Sequence, residues 1–216
     1  MSDARTDILG RVRAALGRKA AQPASESPGV YLSTRNLSVT ERIELFVRNF
    51  EKLNGQARCL AARADVGPVL RELLDGRTAV ASNSPYLREC GITEIGSVQT
   101  GFTVREELKA ACASAGAGIT SCDYALAETG TLVMLSSPQE ARLVSLLPPM
   151  HVAVIPASSI IGNLDELLTN VPLPAEQSSS MVLITGPSRT ADIEQILVRG
   201  VHGPGQIHAL IVEEGA

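Results

Sequence analysis

The sequence predicts an α/β domain, a mostly parallel sheet flanked by helices, preceded by an N-terminal helical arm. Three observations lead there. Short apolar or β-branched runs alternate with helical patterns of ten or more residues, which implies parallel pairing through right-handed crossovers. The chain of 216 residues is 44% hydrophobic but only 3% aromatic and has no Trp, so its core must be built from Val, Leu, Ile and Ala, as in sheets covered by helices. Gly, Ser and Pro bound nearly every apolar run.

The elements follow in order. Residues 2–17 read as an amphipathic helix: Ser2 caps it, Ile8, Leu9, Val12 and Leu16 recur at helical spacing, and Gly17 ends it before Arg18 and Lys19. Its basic other face suits either a partner or membrane surface, or packing on its own domain. Residues 20–37, with Pro23, Pro28 and scattered Ser, read as a flexible tether, so the main domain is expected over 38–216. Ser38-x-x-Glu41 is a capping box opening a helix with Ile43, Phe46, Phe50 and Leu53 on one face and Gly55 at its end. A strand at Ala57–Ala61 follows. Asp65 or a neighbour starts a helix carrying Val69, Leu70, Leu73 and Leu74, and Thr78–Ser82 is a second strand.

Thr103-x-x-Glu106 is another capping box, heading a helix through Leu108, Ala111 and Cys112 to Gly116. Ile119–Ser121, Thr131–Leu135 and Val152–Ile155 read as central strands. A helix is expected around Ile160–Leu168, then a Pro-rich loop over 171–179. Met181–Thr185, Thr190–Arg199 and Ile207–Val212 complete a strand–helix–strand unit. Ligands of such sheets gather at the carboxyl ends of the strands.

A net charge of −4 and the scarcity of aromatics leave neither a basic stripe nor stacking platforms, so nucleic acid is not an expected partner. No apolar run approaches the ~18 residues of a membrane span, and the chain reads as cytoplasmic. Cys59, Cys90, Cys112 and Cys122 lie far apart and write neither a zinc site nor an iron–sulfur cluster locally. No metal and no cofactor is expected in this chain.

The first candidate site is the loop Gly186-Pro187-Ser188-Arg189-Thr190-Ala191-Asp192, between a strand and an expected helix. Amides of a helix's first turn suit an anion, worth about 0.3–1 kcal/mol, and a charge-assisted hydrogen bond from Arg189 adds roughly 1.5–3. Gly186, Ser188, Arg189, Thr190 and Asp192 are therefore candidate ligand residues. Against this, Ser188 or Thr190 capping the helix and Arg189 pairing with Asp192 or Glu194 would explain part of the loop. It is not a Walker A sequence.

The second candidate is Glu128-Thr129-Gly130. Its carboxylate either orients a ligand hydroxyl, holds an arginine or accepts a proton, or only ties down a loop. The third runs from Glu140 and Arg142 to His151, a cation and an imidazole around an apolar, Pro-ended segment; a lone His at a strand edge is more often structural. His202 should lie about 15 Å from Arg189, one helix length, so a shared site needs the chain to fold back or a second subunit. Glu128, His151 and His202 are the candidates for acid–base work, and the catalytic residue stays open.

The 127–131 segment, Arg142…Ser145-Leu146-Leu147-Pro148…His151, and Thr185–Glu194 followed by Gly200–Pro204 resemble the lactate utilization protein C family, a single LUD-domain family, over roughly residues 40–213. The resemblance implies a sheet similar to that of the sugar-phosphate isomerase, CoA-transferase and formyltetrahydrofolate cyclo-ligase superfamily. It also implies a part in oxidising L-lactate to pyruvate together with two iron–sulfur proteins, through which the electrons would travel. An accessory or small-anion-binding subunit, holding a small carboxylate or phosphate, is the first expectation. The alternative is a stand-alone CoA-transferase-like or ligase-like enzyme with Glu128 as nucleophile or base. A homo-oligomer stays open.

Overall fold

The computed structural model describes residues 4–17, 37–172, 174–191, 197–199 and 202–214, with backbone alone for 175, 189–191 and 197–199. The expected tether, residues 20–37, lies almost wholly outside the described residues. The arm is a helix, α1 (Ala4–Leu16), in which no residue is buried.

The main unit opens with α2 (Val39–Lys52), and its capping box forms as expected: Ser38 Oγ accepts from the Glu41 amide at 3.3 Å, and the Ser38 amide donates to Glu41 Oε2 at 2.8 Å. Then come β1 (Gln56–Leu60), α3 (Val66–Leu74), β2 (Ala79–Ala81), α4 (Pro85–Glu89), β3 (Val98–Gln99), α5 (Arg105–Ser114) and β4 (Ala117–Ser121). The chain continues with β5 (Tyr124–Leu126), β6 (Thr131–Leu135), α6 (Arg142–Leu146), β7 (Met150–Pro156), β8 (Ile160–Ile161), α7 (Leu164–Asn170) and α8 (Pro174–Gln177). It closes with β9 (Met181–Ile184), β10 (Arg189–Ala191), β11 (Leu197–Arg199) and β12 (Gln206–Val212).

Among the described residues the central sheet has the order β1-β12-β7-β4-β2-β3 with every pairing parallel. The predicted α/β class holds. A second sheet, β8-β5-β6-β9, is mixed, with β6 antiparallel to both β5 and β9. Thr131–Leu135, expected as a central strand, and Met181–Thr185, expected to open a strand–helix–strand unit, belong to this second sheet instead. Periodicity cannot assign a short apolar run to one sheet or another.

Alternation along the central strands divides the core. Val152, Val154, Leu210 and Val212 face the layer that holds α3 and α4, packing with Leu70, Leu74 and Leu87. Ala153, Ile155, Ala209 and Ile211 face the other way, onto Phe46 and Phe50 of α2 and onto Ala125 and Leu132 of the second sheet. Beside them Val80 packs with Cys112 of α5 and Val144 of α6. The approach of α6 is close: a Cβ on Gly118 of β4 would fall inside the radius of the Val144 carbonyl oxygen.

Three other expectations need correction. The helix expected around Ile160–Leu168 starts only at Leu164, capped by Asn163, whose side chain accepts from the amides of Asp165 and Glu166; β8 precedes it. The capping box at Thr103 does not form, because the N-cap of α5 is Val104 and no side chain caps it. The segment 190–199 is not a continuous helix: β10 and β11 pair antiparallel, with the β-branched Thr190 and Val198 as register partners. Pairing across a ladder can outweigh a helical pattern, because local propensity yields to tertiary context.

The glycine contact gives a prediction. Gly118→Ala should cost about 1–3 kcal/mol through overpacking, read as a lower denaturation midpoint at unchanged m-value. Gly10→Ala in α1, where a Cβ meets nothing within 4 Å, should be neutral or stabilising. Equal effects of the two substitutions would refute the close approach of α6.

Candidate functional site

The connection after β2 runs through α4 into the layer with Leu70 and Leu87, whereas the connection after β4 runs through β5 into the layer with Phe46 and Phe50. Neighbouring parallel strands whose connections leave on opposite faces open a crevice at their carboxyl ends. A groove occupies that position. Its larger part, about 550 Å³, lies between Phe102, Arg105 and Leu108 on one side and Ser137, Arg142 and Leu146 on the other. A smaller part, about 230 Å³, is lined by Ser82, Asn83, Arg88, Thr93 and Thr100. Ser82, Asn83 and Phe102 also line a pocket of about 20 Å³ that shares residues with both parts.

Asn83 fastens the walls. Its Nδ2 donates to the Phe102 carbonyl at 2.7 Å, and its Oδ1 accepts from the Gly101 amide at 2.9 Å. Its own amide donates to the Gln139 carbonyl at 2.9 Å. Gly101 has φ +82°, which fits a tight turn that other residues rarely adopt. On the other wall, Ser137 Oγ accepts from the Gln139 and Glu140 amides at 3.2 and 3.0 Å, and this turn aims Glu140 inward. Glu140 is 9% exposed. Its Oε1 accepts from the Ser121 amide at 3.1 Å and from Ser121 Oγ. Burial pushes this carboxyl above the ordinary glutamate range, against the lowering effect of its serine partners.

The residues singled out in the sequence fall into two places. Arg142 stands on the groove, at the start of α6, with Nη1 3.3 Å from Ser180 Oγ. Glu128, Thr129, Gly130, Gly186, Ser188 and His202 gather at the opposite, amino-terminal edge of the sheet. Gly130, with φ +62°, packs on the last turn of α2, where a Cβ would lie 2.7 Å from the Asn49 carbonyl carbon; Gly186, with φ +86°, abuts Leu53. Asn49 Nδ2 donates to the Ala127 and Glu128 carbonyls at 3.0 and 2.9 Å. The exposed Glu128 and Thr129 sit on this turn, and a hydroxyl chain joins Thr129, Thr131 and Thr185 at 2.7 and 2.9 Å.

The chain does fold back, so Ser188 and the His202 loop meet. The Ser188 amide donates to the Pro204 carbonyl at 2.9 Å, and the Gly205 amide to the Pro149 carbonyl at 3.0 Å, just ahead of β12 and β7. His202 is exposed. The expected separation of one helix length assumed a helix where β10 and β11 run. Because Arg189 and Thr190 are strand residues, no helix begins there to offer its amides. Their side chains, and Asp192 altogether, lie outside the described residues. His151 stands with neither group: it is wholly buried in β7, with Nε2 2.8 Å from Thr120 Oγ1. Burial, aided by His208, lowers its pKa to about 4.

Comparison with known proteins places this architecture. The family model of the LUD domain matches residues 43–212. The chain belongs to the LUD domain family. The Escherichia coli protein YkgG is 30% identical over 230 residues, covering 98% of this chain and 99% of its own length. Lactate utilization protein C of Halalkalibacterium halodurans is 35% identical over 151 residues, 66% of each chain. That of Bacillus subtilis is 41% identical over 104 residues, 46% of this chain and 43% of its own. The matches to these two named relatives thus span two thirds of their length or less. The crystal structure of a DUF162 family protein from Deinococcus radiodurans superposes with a TM-score of 0.64 at 20% identity, covering 82% of this chain and 99% of that one, and shares the fold. Among the described residues of this LUD domain no helix is long and apolar enough to cross a membrane.

Sequence reasoning passed over Ser82, Asn83, Arg88 and Arg105. A signal was present: Ser82-Asn83-Ser84 directly follows an apolar strand, where the carboxyl-end rule says to look.

The buried imidazole predicts an acid weakness. The folded pKa of about 4 lies below the usual 6.5, so stability from the neutral ring is complete above 6.5 and is lost as pH falls from there toward 4. The loss should reach about 3 kcal/mol. Denaturant titrations of wild type and His151→Gln across that window should show a smaller pH slope in the variant; identical slopes would remove His151 as the cause.

Proposed function

We propose that this LUD domain serves lactate utilization as a small-anion-binding subunit that holds a small carboxylate or phosphate in the groove, while electrons pass through two iron–sulfur partner proteins and none through a cofactor of its own. The names of its relatives support the lactate setting. One geometric observation carries the anion reading: Arg105 and Arg142 line the same 550 Å³ cavity at the start of α5, whose first turn no side chain caps.

The physical terms favour an anion. Each arginine offers a charge-assisted hydrogen bond of roughly 1.5–3 kcal/mol, and the free amides of the helix add about 0.3–1. Glu106 and Glu107 also stand in that turn, but neither lines the cavity. Phe102, Leu108 and Leu146 supply apolar wall beside the two exposed guanidinium groups. The placement of the acid–base candidates gives less support to a self-sufficient CoA-transferase-like or ligase-like enzyme. Glu128 is exposed at the far edge of the sheet and His151 is sealed inside it.

Calorimetric titration of the purified chain with lactate, pyruvate and inorganic phosphate should reveal binding of at least one. Arg105→Ala and Arg142→Ala should each weaken it at least tenfold, the equivalent of about 1.4 kcal/mol. Failure of all three anions to bind the wild type, or undiminished affinity in both variants, would overturn the assignment.

A further inference from the structure

Glu140 reaches between the ends of β2 and β4, and its two oxygens have unequal surroundings. Oε1 is occupied by the amide and hydroxyl of Ser121. Oε2 is sealed from solvent without a hydrogen-bond partner, and so is Ser82 Oγ. The Ser82 hydroxyl acts on the carboxyl as a hydrogen-bond donor does, while the two stand just outside strict hydrogen-bond geometry. A buried polar atom left unmet is costly, so two side by side at a cavity mark a place where a small adjustment joins them and a guest takes up the bonding that is left over. Ser82 lines both the 20 Å³ pocket, with room for about one water, and the 230 Å³ cavity that also holds Arg88.

We propose that Glu140 and Ser82 form a proton-coupled receptor for a small carboxylate at the Arg88 end of the groove. With the acid neutral, Glu140 Oε2–H donates to Ser82 Oγ, and the Ser82 hydroxyl turns its own proton to an oxygen of the bound carboxylate beside Arg88. With the acid ionised, Ser82 must donate to Oε2 and presents only lone pairs to the cavity, which repel an anion. Where free Glu140 is ionised, binding therefore takes one proton from solvent onto Oε2; where it is already neutral, only hydrogen bonds are made or broken. Ser82 is the group that touches the ligand; Glu140 is a positioning residue acting through it.

The surroundings of Glu140 favour the neutral form. Burial opposes its ionisation and Asp123, just past β4, adds like-charge repulsion. Burial holds the Cys122 thiol neutral. Arg88, whose Nη2 is 3.5 Å from the Asn83 carbonyl, and Arg142 stand on the cavity walls. This site goes beyond the Arg105–Arg142 reading and lies at the other end of the groove.

The test titrates pyruvate, which keeps its charge above about pH 5, into the full chain at several pH values and in buffers of different ionisation enthalpy. Wild type should take up a proton on binding, and its affinity should fall toward tenfold per pH unit above the pKa of free Glu140. Glu140→Gln, whose amide donates to Ser82 at any pH, should bind with no proton uptake and a flat pH profile. Ser82→Ala should lose at least tenfold in affinity. The infrared spectrum of the pyruvate complex should carry a protonated-carboxyl band that Glu140→Gln removes. Binding without proton uptake at pH values above the pKa of free Glu140, a pH profile unchanged by Glu140→Gln, absence of that band, or no binding of pyruvate at all would overturn the proposal. Failure of the Arg105–Arg142 reading looks different: pyruvate binds with proton uptake, but Arg105→Ala and Arg142→Ala leave its affinity unchanged.

Discussion

The close approach of α6 to β4 across Gly118 is the constraint on which the rest of the groove depends. A side chain at that position would meet the Val144 carbonyl, so the helix lies against the strand only because the strand offers bare backbone there. That seat fixes the direction of the turn before α6. It places Glu140 between β2 and β4, and Arg142 opposite Arg105. The buried acid, the cationic wall and the apolar lining are thus consequences of one packing contact. Hydrophobic burial on both faces of the sheet holds the frame in which that contact is made.

The two edges of the sheet divide the work. At the amino-terminal edge, Gly130 and Gly186 let the second sheet and the β9–β10 turn close onto the end of α2. The Ser188 and Gly205 amides stitch the last loops to Pro204 and Pro149. These are backbone bonds and close glycine contacts, which suit structural work. At the carboxyl-terminal edge the groove is lined by side chains that carry charge or hydroxyls, and buried polar atoms remain unmet.

Much of the fold was legible because its signals are local. The Ser38–Glu41 box, the apolar face of α2 and the apolar runs around β4, β7 and β12 each declare themselves within a few residues. What escaped was non-local. Membership of the second sheet depends on partners far along the chain, and the β10–β11 pairing replaced a helix whose pattern looked sound by itself. The candidate site was legible in part for the same reason. The conspicuous loop motifs at 127–131, 185–192 and 200–204 were visible as sequence, but the described ones settle at the edge remote from the groove. Arg142 was found because it sits within such a motif. Ser82, Arg88 and Arg105 were passed over because only the crossing of β2, β3 and β4 brings them onto one groove.

Asn83 ties the 100–103 segment and the 137–140 turn to each other through three hydrogen bonds from a single residue. Two loops that would otherwise wander independently behave as the halves of a fixed jaw. The width between them is therefore set during folding, before any guest arrives. A molecule that fits gives up its own freedom on entry, but it does not have to order the protein around itself.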